Sequence, residues 1–434
     1  MAAKSRFFMD PVHGFIVLSD ELMLRLVDSA EFQRLRRIRQ LGASFGTYHG
    51  AEHTRFGHSL GALHLLERVL GSLEQQGVRL EPEQGQLLRA AVLLHDVGHG
   101  PFSHALEGLI TPGISHEAWG AAIINWPGSQ VHQTLAACDP SLPQAVAGLL
   151  AGAEAPLPPW ARALISSQLD VDRMDYLLRD AHFTGTRYGL FDLDQLIRLL
   201  QVRDGELVVG PDGRAAVEEY VLARFFMYRR VYLHKTTRAQ ELVLHQAWLR
   251  AKELAQAGRA EPSRLDRWLR WEPGGDPDEE AVRAYLALDD SDIWYALKGW
   301  RQDPDPILAD LAARFLDRRL LKPLFREPVA ALPEGFLEAA SEKVRQAGWD
   351  PAHYLLVDRV RSIAYDPYAP DPGRAPIIVG AAEGPIELSR LSTLVAAAAE
   401  LAEPAFQVYA PAEVRPELWR LLPKVHSAGG GGDG

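Results

Sequence analysis

The chain has 434 residues, 47% hydrophobic and 24% charged, with a formal net charge of −11, which allows two or three domains with ample core and excludes a chain-wide polyanion-binding surface. Any nucleotide or nucleic-acid contact must therefore be a local basic patch on an acidic body. The single cysteine, Cys138, excludes intramolecular disulfides and thiolate-rich metal sites, and no apolar run has signal-peptide or membrane-span character, so a cytoplasmic protein with no membrane contact is expected.

Residues 6–20 read as a short extended lead-in, punctuated by turns at Asp10-Pro11 and His13-Gly14. Helices are expected at 20–28 and 30–41, the second ending at Gly42. In it Arg34, Arg36, Arg37 and Arg39 place four guanidinium groups within two turns, which reads first as a solvated basic face. A helix over 54–75 sets Arg55, His58, Ala62, Leu65 and Val69 on one face at three- and four-residue steps. That face points inward. An inward histidine is ordinarily a core residue bonded to a carbonyl, but Arg55 beside it demands an anion, and phosphate is the natural one.

The apolar helix Leu87–Leu94 ends in adjacent His95 and Asp96 before Gly98 and Gly100-Pro101, a strong helix stop. Both side chains are costly to desolvate unless paired, and a divalent cation would satisfy nitrogen and oxygen together. His99, His104, Glu107, His116 and Glu117 then crowd into a short stretch, and neutral imidazoles there suit proton transfer near neutral pH. After a proline-rich loop at 153–159, a helix over 160–181 places Leu169, Asp172, Tyr176 and Asp180 on one stripe. Asp170 is ambiguous, since it can simply pair with Arg173. Residues 206–217 read as a hairpin about Pro211-Asp-Gly213, and a helix over 218–255 repeats Arg224, Tyr228 and Tyr232 every fourth residue, a stripe more often core than ligand box.

From 256 to 350 the chain is helical and charged. Strand-like runs at 354–360, 376–380, 385–388 and 406–409 surround a helix near 391–402. The expectation is a mainly α protein: a helical bundle over 1–350, a small α/β appendage over 351–426, and a glycine-rich tail at 427–434 that pays too much backbone entropy to order. A lone His-Asp pair would normally be solvated. Here His58 lies upstream and Asp172 downstream, so two histidines and two aspartates from three helices form a mixed nitrogen and oxygen set suited to one Mn, Mg, Fe, Co, Ni or Zn ion with open positions.

Five blocks in order, Asp10-Pro-Val-His-Gly14, Phe32 through Gly42, His95 through His104, Asp170 through Tyr176 and Arg229 through Lys235, resemble the HD superfamily of metal-dependent phosphohydrolases, whose motif is H…HD…D. The closest likeness is to the dNTP triphosphohydrolases, which release deoxynucleoside and inorganic triphosphate. The resemblance implies a helical HD-domain bundle and a divalent metal ion on His58, His95, Asp96 and Asp172. It places His99, His104 and His116 around the reacting phosphate, with His104 as the proton donor to the 5′ oxygen and Glu107, usually aspartate in the family, orienting a histidine. For substrate it implies Arg55, Arg173 and Arg224 on the triphosphate, Gln40 at the 3′-hydroxyl, Tyr176 against a ribose 2′-hydroxyl, Asp180 at the sugar, and Tyr228 and Tyr232 as aromatics beside the deoxyribose. It further implies an activator-nucleotide pocket at Arg6, Asp28, Gln33 and Arg36 and a homo-oligomer, tetramer or hexamer. The alternatives are an HD hydrolase of monophosphates, cyclic dinucleotides or alarmones, a nucleotide-sensing regulatory protein, and single-stranded nucleic-acid binding at residues 34–39.

Overall fold

The computed structural model describes residues 5–103, 105–153, 156–259, 263–272, 277–360, 376–381, 384–400 and 405–422. The lead-in is an antiparallel hairpin, β1 (Arg6–Asp10) and β2 (Gly14–Leu18), turning at Gly14 with φ of 74°. Strand alternation sends Ile16 and Leu18 into the core and leaves Phe7, Met9, Phe15 and Val17 exposed, with Phe7 opposite Val17 and Met9 opposite Phe15.

Helix α1 (Glu21–Asp28) is capped by the Asp20 carboxylate, and α2 (Ala30–Arg34) by the Ser29 hydroxyl. The expected helix to residue 41 tightens into a 3-10 turn over Leu35–Arg37 and then extends. The cause is tertiary: the Arg39 amide donates to Asp290 at 3.0 Å, and Arg39 bridges to Thr54 as a strand would. Nor is the basic run a uniform solvated face. Arg34 is buried and donates to the carbonyls of Leu288 (2.8 Å) and His99 (2.9 Å), while Arg37 pairs with Asp289 and Arg39 with Glu52 and Asp290.

The core helices are α3 (Arg55–Gln75) and α4 (Pro82–Leu94), followed by α5 (His116–Asn125), α6 (Gln130–Cys138) and α7 (Leu142–Leu150). The helix expected over 160–181 is two, α8 (Pro159–Ala163) and α9 (Val171–Thr184). Asp170 breaks it, because its carboxylate accepts the amides of Arg173 (2.8 Å) and Ser167 (3.2 Å) and so starts a helix rather than continuing one.

After α10 (Leu193–Leu199) the hairpin is β3 (Leu200–Arg203) with β4 (Glu206–Val209), one strand earlier than expected. Asp204 and Gly205, both at positive φ, make its turn, whereas Pro211–Gly213 is a 3-10 turn leading into α11 (Arg214–Met227). The single helix expected over 218–255 is likewise α11, a π turn at Tyr228–Tyr232, and α12 (Lys235–Gln256), which His234 caps.

The last part carries β5 (Lys322–Pro323), β6 (Leu356–Val360), β7 (Ile378–Ala381), β8 (Gly384–Glu387) and β9 (Ala405–Ala410). Two sheets form, ordered β3-β4-β7-β8 and β5-β9-β6, so the C-terminal strands pair with segments of the helical body. Arg238 on α12 also grips Asp358 on β6 in a bidentate pair at 2.9 and 2.8 Å. The protein is mainly α with a small α/β region at its C-terminus. The glycine-rich tail at 427–434 lies outside the described residues. Among those residues no helix is long and apolar enough to cross a membrane.

The turn after α4 lies flush on α5. A Cβ on Gly98 would sit 2.0 Å from the His116 carbonyl oxygen and 2.3 Å from the Gly120 nitrogen, both backbone atoms that cannot swing aside. Gly98→Ala should therefore cost about 2–3 kcal/mol of stability, read as a lower urea midpoint at unchanged m-value.

Candidate metal centre

Three helices deliver the centre. His58 comes from the first turn of α3, His95 from the C-cap of α4 and Asp172 from the first turn of α9. The Nε2 atoms of His58 and His95 face each other at 3.1 Å, and Asp172 Oδ1 lies 2.9 Å from the first and 3.7 Å from the second. The second nitrogen of each ring explains the chemistry. His95 Nδ1 lies 2.7 Å from the Val92 carbonyl, which can only accept, and His58 Nδ1 lies 2.8 Å from the Asp175 carboxylate. Both neutral rings are therefore Nδ1-protonated, and two bare Nε2 lone pairs point at one another beside a carboxylate.

That arrangement demands a cation. In its place a proton is bound tightly: burial works to lower His58, but Asp172 and Asp175 overcome it and raise its pKa to about 10. The donor set thus fits a divalent ion, with second-nitrogen partners that fix ring orientation. Asp96 stands at the edge of the set. Its Oδ1 is 3.4 Å from His95 Nε2 and 3.3 Å from His99 Nε2, and its Oδ2 is held by Arg55 at 2.8 Å. Burial favours its protonation, but Arg55 and the neighbouring imidazoles hold it well below the usual carboxylate range.

A second group lies beside the first. Glu107 accepts from the His116 backbone at 3.1 Å and from its Nδ1 at 2.6 Å, and the His116 ring stacks on His99 with centroids 3.8 Å apart. Burial alone would raise Glu107; His116 instead draws it down to about 2, and Glu107 in turn raises His116 against desolvation. His99 is pushed well below its ordinary value by burial and by Arg55. His104 lies outside the described residues.

Of the arginines expected on a triphosphate, Arg55 and Arg224 are buried and Arg173 is partly buried, and all three keep donors to spare. Arg55 bonds Asp96 and Ser103 and Arg173 pairs with Asp170, yet Arg55 Nη2, Arg173 Nε and Arg224 Nε have no hydrogen-bond partner among the described residues, and neither does Gln40 Oε1. Unpaired buried guanidinium atoms are costly without an anion. Tyr176, Tyr228 and Tyr232 form an edge-to-face aromatic group, Tyr232 lying 6.2 Å from Tyr176 and 5.1 Å from Tyr228 between centroids. Asp180 spends its oxygens on His53 (2.7 Å) and on the Tyr232 hydroxyl (2.8 Å), so it seats Tyr232.

The set expected to hold a second nucleotide is two surface pairs. Arg6 bonds Asp28 through both oxygens, at 2.5 and 2.8 Å, and Arg36 donates to Gln33 at 2.9 Å while lying 3.5 Å above the Phe56 ring. Sequence reasoning assigned no role to Asp175, Arg179, Asp10 or His13. The available signal was spacing: Asp175 follows Asp172 by one helical turn, and Asp10 and His13 sit in the block that also holds Gly14.

Residues 55–180 match the family description "HD domain" and residues 191–268 match "HD associated region". The chain is 37% identical over 396 residues to the uncharacterized protein YwfO of Bacillus subtilis, spanning 91% of this chain and 89% of that one. A crystal structure titled as a phosphohydrolase from Bacteroides thetaiotaomicron superposes with a TM-score of 0.80 at 30% identity, covering 94% of this chain and 99% of the other. The chain is also 30% identical over 278 residues to the human deoxynucleoside triphosphate triphosphohydrolase SAMHD1, covering 56% of this chain and 44% of the human protein, less than half its length. A helical body with a histidine and aspartate centre between α3, α4 and α9 defines a metal-dependent phosphohydrolase. The chain belongs to the HD superfamily, among its dNTPase-like proteins.

The Glu107–His116 pair gives a pH test. His116 is raised above 6.5, so its contribution to stability is full below that pH and fades as pH rises through the folded value; Glu107, depressed to about 2 from 4.5, contributes above pH 4.5 and loses its share as pH falls toward 2. In Glu107→Gln the His116 imidazole should titrate at a lower pH than in the parent protein, measured by NMR of the ring carbons; an unchanged titration would mean that Glu107 does not govern it.

Proposed function

We propose that the protein is a metal-dependent dNTP triphosphohydrolase that converts a deoxynucleoside triphosphate and water to the deoxynucleoside and inorganic triphosphate. The observation that carries this reading is the set of buried guanidinium nitrogens on Arg55, Arg173 and Arg224 that have no hydrogen-bond partner among the described residues, with Arg55 on Asp96 beside the histidine and aspartate donor set. Three guanidinium groups, each with a donor still to place, suit the several oxygens of a polyphosphate better than a monoester.

In this reading His58, His95, Asp96 and Asp172 hold the divalent ion, which when bound supplies Lewis-acid charge at the α-phosphate. Arg55, Arg173 and Arg224 bind the phosphate oxygens and hold the α-phosphorus in line with the attacking water. The bond from the α-phosphorus to the 5′ oxygen breaks, and the departing oxygen takes a proton from a nearby imidazole, His104 by family likeness. His99 and His116, with Glu107 behind His116, keep charge and geometry in place. In the same reading Tyr176 excludes a 2′-hydroxyl, Tyr232 and Tyr228 take the deoxyribose, and Gln40, whose Oε1 has no partner among the described residues, accepts from a 3′-hydroxyl.

A nucleotide seated at Arg6, Asp28, Gln33 and Arg36 would have to open the Arg6–Asp28 pair, which makes activation by a second dNTP a testable part of the reading. The exposed apolar face of the β1–β2 hairpin supports self-association with a second copy of the chain. Its four side chains amount to roughly 450 Å² of apolar surface, the size of the largest patch on a typical monomer, which is often functional.

Purified protein given Mn²⁺ and each dNTP, singly and mixed, should release deoxynucleoside and inorganic triphosphate by chromatography. Monophosphate with pyrophosphate would redirect the reading to other HD substrates, and turnover only in the mixture would support the activator pocket. Asp172→Ala should lower kcat by roughly a thousandfold, about 4 kcal/mol of transition-state stabilisation; a folded variant turning over at the parent rate would sink the ligand assignment. Phe7→Asp with Met9→Asp should shift the mass seen by light scattering toward the monomer, and an unchanged mass would remove the hairpin from the interface.

A further inference from the structure

The best-anchored ring in the centre is His58, and its anchor runs outside the donor set. Asp175 Oδ2 lies 2.8 Å from His58 Nδ1. The other oxygen of Asp175 lies 2.6 Å from Nε2 of His13, the residue before the hairpin glycine. Arg179, one turn along α9, spans the same carboxylate with Nε at 2.7 Å and Nη2 at 3.0 Å. Its Nη1 reaches Asp10 Oδ2 at 2.8 Å. Asp10 Oδ1 in turn accepts the amides of Val12 and His13, each at 2.9 Å, which folds the turn that presents His13.

These groups are shut off from water: Asp175 and His58 are fully buried, and Arg179 is 1% exposed. Closeness between α3 and α9 at this level depends on Gly61, where a Cβ would sit 1.9 Å from Asp175 Oδ1 and 2.4 Å from Arg179 Nη2. Arg179 alone is sufficient to balance the Asp175 charge, so neutrality does not explain His13 and Asp10. What they add is direction. With Oδ1 committed to His13 and Arg179 clamped from its far end by Asp10, the carboxylate cannot rotate, and Oδ2 remains on His58 Nδ1.

We propose that Asp175 is the positioning residue of His58, and that His13 and Asp10 on the N-terminal hairpin, acting with Arg179, hold Asp175 in register, so that the seating of the hairpin sets the affinity of the metal centre. The inference rests on the metal-centre reading and extends it from the three helices to a strand pair that contributes no ligand. An outer partner of this kind changes metal affinity by about 10–100-fold when removed, because the ligand ring loses both its orientation and its tautomer.

The test is Mn²⁺ affinity of the full-length protein, followed by electron paramagnetic resonance of the free ion, with Asp172→Ala as the control that removes a ligand. His13→Leu and Asp175→Asn should each weaken Mn²⁺ binding by 10–100-fold, while His13→Gln, whose amide nitrogen can stand in for Nε2, should bind within a few-fold of the parent. Nitrogen NMR of the His58 ring in the Zn²⁺-loaded protein supplies a readout that a merely structural role would leave alone: the Nδ1 proton held by Asp175 should exchange with solvent faster in Asp175→Asn. If His13→Leu does not fold, Asp10→Asn decides, with several-fold weaker binding expected. Parent-like Mn²⁺ affinity in folded His13→Leu, or in Asp10→Asn where that variant must stand in, would overturn the relay while leaving the metal centre intact. Failure of the parent protein to bind Mn²⁺, Fe²⁺, Co²⁺ or Zn²⁺ at all would instead overturn the metal reading, and the relay with it.

Discussion

Two imidazole nitrogens, each with its lone pair outward, face one another at 3.1 Å beside a carboxylate. That contact calls for a positive charge between the rings, a proton on His58 or a divalent cation, and much of the surrounding structure holds it. The Val92 carbonyl and Asp175 set the two tautomers from behind. Arg34 and Tyr285 pin the carbonyls of His99 and Gly98, so that the turn after α4 keeps its course. Gly61 and Gly98 allow backbones to approach where any side chain would intrude. The centre is thus held from every side by ordinary hydrogen bonds and close packing.

Charge is organised on the same principle. The chain is acidic overall, yet its interior holds Arg34, Arg55, Arg179 and Arg224, each nearly or fully buried. Arg179 is matched internally and belongs to the scaffold. Arg34 finds only carbonyls and an aromatic face, which suits a guanidinium because its charge is spread over a plane. Arg55, beside the centre on Asp96, and Arg173 and Arg224 keep nitrogens without partners among the described residues. Leaving guanidinium nitrogens unpaired in the interior costs stability, which a bound anion would offset. The hairpin takes part in both roles, with one face apolar and exposed and its turn reaching inward to α9.

Much of this was legible in the chain. The inward face of α3, the helix stop after His95-Asp96 and the stripe through Asp172 are periodic features of single segments, and periodicity survives into the fold because each helix buries one side. The mainly α class and the strand-bearing C-terminal region were legible for the same reason. Errors fell where a side chain or a distant strand competed with local preference: Asp170 began a helix that seemed continuous, Asp290 unwound α2 early, and the Asp204-Gly205 turn displaced the hairpin from Pro211. The π turn at Tyr228–Tyr232 had no sequence signature, since it contains neither glycine nor proline.

By itself the sequence determined which residues can bind metal and phosphate and that they lie on helices, because residue chemistry and helical spacing are local properties. Only the tertiary structure decided that Asp96 turns to Arg55, that Asp180 seats Tyr232, that Arg34 is a buried brace, and that Asp175 with the hairpin stands behind His58. Those outcomes depend on contacts between positions as far apart as Asp10 and Arg179, and no spacing rule along one segment can report which of several nearby partners a buried carboxylate will choose.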